Sequence, residues 1–245
     1  MSIHRFQSAF ECLTRASGRS VVLTIVFVLG AIGVPPSGKG EENTTELTGT
    51  VDLIESGQPV AAVANAVVYY EPASGARPTV PQSAEVTTQR KRFSPRVLPV
   101  SVGSVVRFPN LDPIFHNVFS VSPGNRFDLG RYQEGRGKSQ KFMTPGLVRV
   151  YCNVHHSMAA YVLVLDTPYY TTSDAQGRFT LTGLPAGRGT LTVWHESAAP
   201  WKQEIERPTR APLQIHMTVT VKGLPPHLNK FGKPYGTDDS GESYR

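Results

Sequence analysis

Val97-Leu-Pro-Val-Ser-Val-Gly-Ser-Val-Val-Arg-Phe-Pro-Asn110 decides the fold class. Two short β-branched runs flank a Ser-Val-Gly turn signal, and neither has the three-to-four spacing that would bury one side of a helix. The same texture extends in both directions. Strands are expected at 47–54, 66–70, 85–88, 97–100, 104–109, 117–120, 147–151 and 161–165, with further runs at 178–182, 190–194 and 215–221. Pro95, Pro99, Pro113, Pro123 and Pro145 belong at edges or turns, because proline cannot donate to a central ladder. The chain therefore reads as all-β, with helix scarce.

Composition and the N-terminal segment set the compartment. Arg5, Arg15 and Arg19 precede an apolar run over 21–34 that ends in Pro35-Pro36, with Ala31-Ile32-Gly33 as a small-x-small cleavage pattern. Residues 1–34 are thus expected to be a secretory signal, or an N-terminal membrane anchor if uncleaved, and the protein to be exported to a periplasm or cell surface. Residues 35–46 read as a linker, and 223–245 as a flexible tail. What is left, roughly 190 residues, suffices for one large or two small domains. The net charge of +6 is scattered. Its one block, Arg90-Lys91-Arg92, reads as a solvated surface turn. With no groove-reading helix, no nucleic-acid partner is expected.

Downstream of these runs stands Tyr151-Cys-Asn-Val-His-His-Ser-Met158. Of the two cysteines, Cys12 precedes the apolar run and leaves with a cleaved signal, so Cys152 would meet an oxidising compartment unpaired. Its neighbours favour a metal over a reactive thiol. Upstream, His116 lies in Phe108-Pro-Asn-Leu-Asp-Pro-Ile-Phe-His-Asn-Val-Phe119, where one strand-like run ends and another begins. A thiolate, two imidazoles and a weak axial thioether suit copper in an electron-transfer centre. Ligand type alone leaves His155 and His156 in competition, and zinc accepts a Cys/His set as well. Phe142-Met143 reads as strand core, where methionine fills gaps.

These pieces resemble the cupredoxin family over about residues 84–166. Val97–Asn110 followed by His116-Asn117-Val118 is similar to the family's strand, turn and first copper histidine. Pro145-Gly146, Tyr151-Cys152 and the Cys-x2-His-x2-Met spacing resemble the short ligand loop of its amicyanin branch. The wider arrangement is similar to exported proteins labelled plastocyanin-like or methylamine-utilisation-like. The resemblance implies a Greek-key β-sandwich or barrel holding one mononuclear copper through His116, Cys152, His155 and Met158, with Asn117 bracing the Cys152 loop.

A second stretch, Thr172-Ser-Asp-Ala-Gln-Gly-Arg-Phe-Thr-Leu-Thr-Gly-Leu-Pro-Ala-Gly187 through Trp194-His195, resembles the carboxypeptidase regulatory-like module, a small transthyretin-like β-sandwich. The early pieces of such a module occur at Gly49-Thr50-Val51, Gly57-Gln58-Pro59 and 65–69. The expected organisation is therefore a sandwich made from 47–72 and 167–222, interrupted by a copper domain at 84–166.

The function implied is an exported one-electron carrier, served by a redox protein donor and acceptor. The alternative is a copper-binding or cell-surface interaction module without a redox role. Enzymatic chemistry is not expected, because the chain lacks the His-x-His pairs of a multicopper cluster.

Overall fold

Leu47–Glu55, strand β1, alternates buried and half-buried residues along its length, the period of a strand with one face on a core and one toward solvent. The computed structural model describes residues 46–235 apart from 61, 62, 76 and 210, and assigns no helix among them. The expected signal or anchor over 1–34, nearly all of the linker, and residues 236–245 lie outside the described residues.

The described strands form four sheets. In the first, β1 lies between β15 (Arg178–Leu181) and β18 (Leu213–Thr218), with β2 (Gln58–Val60) also on β1. The second has the order β14 (Tyr170–Thr172), β3 (Val67–Pro72), β16 (Gly187–Trp194), β17 (Trp201–Arg207). Early strands thus pair with late ones: Val51 of β1 faces Ile215, and Val68 of β3 faces Val193. Leu47, Val51, Tyr70, Phe179, Leu191 and Ile215 fill the space between these two sheets.

The intervening chain builds the other two sheets. One has the order β11 (Gly135–Lys141), β8 (Val105–Asn110), β5 (Thr87–Gln89), β6 (Arg92–Ser94), with β4 (Ser83–Glu85) on β8. The other has the order β10 (Phe127–Tyr132), β9 (His116–Ser120), β12 (Gly146–Tyr151), β13 (Ala159–Leu165), β7 (Val97–Ser101). Between them lies a second core containing Val106, Phe108, Phe142, Val148, Val150 and Val162.

The unbroken apolar run of β13 has a physical reason. All seven of its residues are buried, one face toward the second core and the other, through Tyr161, Leu163 and Leu165, against Val67 and Trp194 of the second sheet. A strand covered on both sides loses its polar alternation. Arg96 extends the contact, pairing with Glu196 through two 2.6 Å bonds and lying over the Tyr161 ring.

Strands β2, β6, β10, β11, β14 and β17 fall outside the expected runs. β10 and β11 are glycine-rich and charged, and each carries a register shift against its partner, between Asp128 and Arg131 and between Gly135 and Lys138. Gly137 has φ +67°, and a Cβ there would fall 1.8 Å from the Phe108 carbonyl oxygen, so the bulge admits only glycine. β17 is a polar edge strand with two buried positions, Ile205 and Arg207. Met143 also departs from expectation: Phe142 is buried, but Met143 is 59% exposed beyond the end of β11. Once that strand ends there is no sheet face for it to fill.

Because Leu191 is fully buried in the core between the first two sheets, Leu191→Ala should lower unfolding stability by about 2–5 kcal/mol. Urea denaturation measures this.

Candidate metal centre

Strands β12 and β13 form a hairpin whose last pair is Tyr151 with Ala159, so residues 152–158 are its loop. The loop is tied across its base. The Met158 N–H donates to the His155 carbonyl at 3.1 Å, and the Cys152 N–H to the Met158 carbonyl at 3.3 Å. β9 lies on the other side of β12, with Tyr151 opposite Phe119. That pairing brings the first residue of β9, His116, beside a loop 36 positions later in sequence.

Three donor atoms converge there. Cys152 Sγ lies 3.8 Å from Nδ1 of His116 and 3.8 Å from Nδ1 of His155, and the two nitrogens are 3.2 Å apart. His116 and Cys152 are fully buried and His155 half-buried. Met158 is buried in the same apolar cluster as Cys152. The ring of His156 instead lies near Tyr235, 6.2 Å between centroids.

The surroundings fix the orientation of each donor. His116 Nε2 bonds Asp112 Oδ2 at 2.9 Å, which places its proton on Nε2 and turns the Nδ1 lone pair toward the sulfur. Asp112 also accepts the backbone N–H groups of Arg90 at 2.6 Å and Lys91 at 2.9 Å. Burial works against its ionisation, but the bonds from Lys91, Arg90 and His116 outweigh it and hold the carboxyl below its ordinary range. Fully buried Asn117 spans β9 and the loop: its Oδ1 accepts the Asn153 N–H at 3.3 Å, and its Nδ2 donates to Asp128 at 2.7 Å.

Burial also governs how the donors titrate. It pushes the Cys152 thiol up, against the backbone N–H groups of Asn117, Val154 and His155 that favour the thiolate. It pushes His116 down, opposed by Asp112. His155 is pushed down to about 4, first by burial and then by the nearby His116 and Lys91 charges. Both shifts favour the neutral imidazole, the form that ligates a metal.

The donor set fits a cation. Without a metal the two ring nitrogens and the sulfur share protons at these distances, and a cation placed among them would take a lone pair from each. An ion about 2.3 Å from a thiolate and about 2.0–2.1 Å from two imidazoles in a trigonal plane sets S···N edges of about 3.8 Å and an N···N edge of about 3.5 Å. The 3.8 Å separations match, and a slightly narrower angle at the ion gives the 3.2 Å nitrogen pair.

Residues 223–235, part of the stretch expected to be a flexible tail, pack onto this loop. His227 stacks on Tyr151 with centroids 4.0 Å apart, the Lys230 N–H donates to Asn153 Oδ1 at 3.0 Å, and the Tyr235 hydroxyl donates to the Cys152 carbonyl at 3.1 Å. A glycine- and proline-rich composition without periodicity hides the few aromatic and amide contacts that anchor the segment. Asp112 was likewise missed, although its place four residues before His116 was a usable signal.

No family model and no curated protein matches the chain. Among solved structures it is similar to the reduced Cu(I) form, at pH 4, of an amicyanin carrying a single proline-to-glycine substitution, with 22% identity over 34% of this chain and 82% of that one and a TM-score of 0.33. The purple cupredoxin of Nitrosopumilus maritimus is 22% identical over 34% of this chain and 99% of its own, with a TM-score of 0.29. The copper-containing nitrite reductase of Thermus scotoductus SA-01 is 22% identical over 46% of this chain but 28% of its own, with a TM-score of 0.33.

The titration behaviour has a consequence for the metal-free protein. His116, His155, His195 and His227 all bind protons less readily folded than unfolded. Between pH 6.5 and about 4, the window set by His155, the unfolded chain holds more protons, so stability rises with pH there and falls on acidification. Thermal unfolding of metal-free protein across this range should show a falling midpoint, with a shallower slope in His155→Asn.

Proposed function

We propose that the protein is an exported carrier of single electrons that would hold one mononuclear copper ion through His116, Cys152 and His155, with the Met158 thioether as a weak fourth donor. The observation that carries this reading is the convergence of one sulfur and two imidazole nitrogens, 3.2–3.8 Å apart, on a single buried point. The ligand geometry carries it alone; the partial likenesses to solved structures do not. One cysteine and two histidines with a weak thioether form the donor set that suits copper cycling between its two common oxidation states. When bound, copper supplies a one-electron couple between Cu(II) and Cu(I).

The chain's own residues supply the rest. Cys152 gives a soft sulfur whose thiolate form is favoured by backbone N–H groups, including that of Val154 at 3.4 Å. Asp112 holds the His116 ring so that Nδ1 stays aimed at the site in either charge state. Asn117 ties the hairpin loop to β9 and limits its movement. Val118, Val150 and Val162 line the same core and keep water away. A site whose donors barely move and whose walls stay dry needs little reorganisation when charge changes. That suits transfer to and from a protein donor and acceptor. Export, and anchoring of an uncleaved N-terminal segment in a membrane, belong to the same proposal.

Addition of Cu(II) to the purified protein should develop an intense thiolate-to-copper band in the visible. Reductant should bleach it, oxidant restore it, and Cys152→Ser abolish it. Colourless binding, or copper affinity unchanged in Cys152→Ser, contradicts the assignment. A band that forms but does not cycle favours the alternative of a copper-binding module without a redox role.

A further inference from the structure

The hairpin joining β5 to β6 turns through two residues, Arg90 and Lys91, both in the left-handed region with φ of 53° and 55°. Two-residue turns of this kind ordinarily use asparagine and glycine, which adopt positive φ at least cost. Here two long cations occupy it, followed by Arg92, and all three are exposed. Their side chains form no ion pair among the described residues, whereas nearby Arg96 is paired with Glu196. Uncommon backbone at an exposed basic tip invites a functional reason.

That reason lies in what holds the turn. One Asp112 carboxylate accepts the Arg90 and Lys91 N–H groups and also binds His116 Nε2. The tip is thus two hydrogen bonds from an imidazole of the candidate metal centre, and the Lys91 charge weighs on both His116 and His155. The loop that carries Asp112 also exposes Leu111, Ile114 and Phe115, at 50%, 38% and 42%. Exposed apolar side chains on the loop that holds a tip of unpaired cations, with Arg131 over the Phe115 ring, have the makeup of a transient docking face with a charged rim.

Building on the copper-carrier reading, we infer that Arg90, Lys91 and Arg92, with the apolar loop at 111–115, form the docking face for an acidic surface of a redox partner protein, and that Asp112 links this face to His116. Charge complementarity selects the partner: three unneutralised cations attract carboxylates and accelerate encounter most at low salt.

The test has two arms that separate this inference from the copper assignment. In the first, hexacyanochromate(III), a redox-inert paramagnetic trianion, is added to the copper-free full chain and followed by amide NMR. Broadening should begin at 90–92 and 111–115 and vanish there in the double variant Arg90→Glu, Arg92→Glu. Broadening spread evenly over all basic residues, or unchanged in the variant, overturns the inference whether or not copper binds. In the second, the copper-loaded protein is reduced and then oxidised by hexacyanoferrate(III) or by the tris(phenanthroline)cobalt(III) cation. The variant should react roughly 10-fold or more slowly with the anion at low salt, approach the parent at high salt, and react faster with the cation. Equal changes toward both oxidants overturn it. So does co-sedimentation with phosphatidylglycerol vesicles that the double variant abolishes, an outcome that assigns the face to a lipid surface.

Discussion

Two imidazole nitrogens and a sulfur held within 3.8 Å of one another, with His116 and Cys152 fully buried, make a costly arrangement that no local segment can impose alone. His116 and Cys152 meet only because β9 pairs with β12, and the pairing is demanding because it involves a single registered pair, Tyr151 with Phe119. The side-chain bonds then correct the aim. Asn117 ties the loop to the strand, and Asp112 sets the tautomer of His116. The final described segment closes over the loop from outside, with Tyr235 on the Cys152 carbonyl. Each contact restrains a donor that would otherwise turn toward solvent.

The sheets around this point explain how the restraint survives thermal motion. β13 begins where the loop ends, and it is buried on both faces, against one core and against Val67 and Trp194. Movement of the loop base would therefore disturb two packed layers. Tyr161 lies near Trp194, with ring centroids 5.4 Å apart, while Arg96 reaches Glu196 across the same contact. The strands paired across residues 47–72 and 170–218 thus do more than extend the chain, since they cover one side of the strand on which the loop is mounted.

Much of this was legible in the sequence, for identifiable reasons. β-branched runs punctuated by glycine and proline announced an all-β chain, and the runs at 97–100, 147–151 and 161–165 overlap β7, β12 and β13. His116 and Cys152 stood out because a cysteine without a partner, near histidine and methionine, has few other uses, whereas His155 over His156 rested on the resemblance in loop spacing. What escaped notice was structure whose cause lies elsewhere in space. β10 and β11 are edge strands stabilised by bulges rather than by apolar alternation, and β17 buries too little to display a period. The strap at 223–235 is rich in glycine and proline and shows no strand or helix period, and nothing local foretells that His227 will stack on Tyr151. Asp112 stands before Pro113 with nothing in its immediate neighbours to mark a role. Its significance depends on a carboxylate reaching a hairpin tip 21 and 22 positions away.

A copper site here requires the sulfur and both nitrogens to act together on one ion. X-ray absorption at the copper edge of the loaded protein, in both oxidation states, tests this most directly. One short sulfur neighbour and two nitrogen neighbours, with distances nearly unchanged between the oxidised and reduced forms, are the expected result. A copper coordinated by nitrogen and oxygen alone, or one whose neighbours rearrange on reduction, would contradict it.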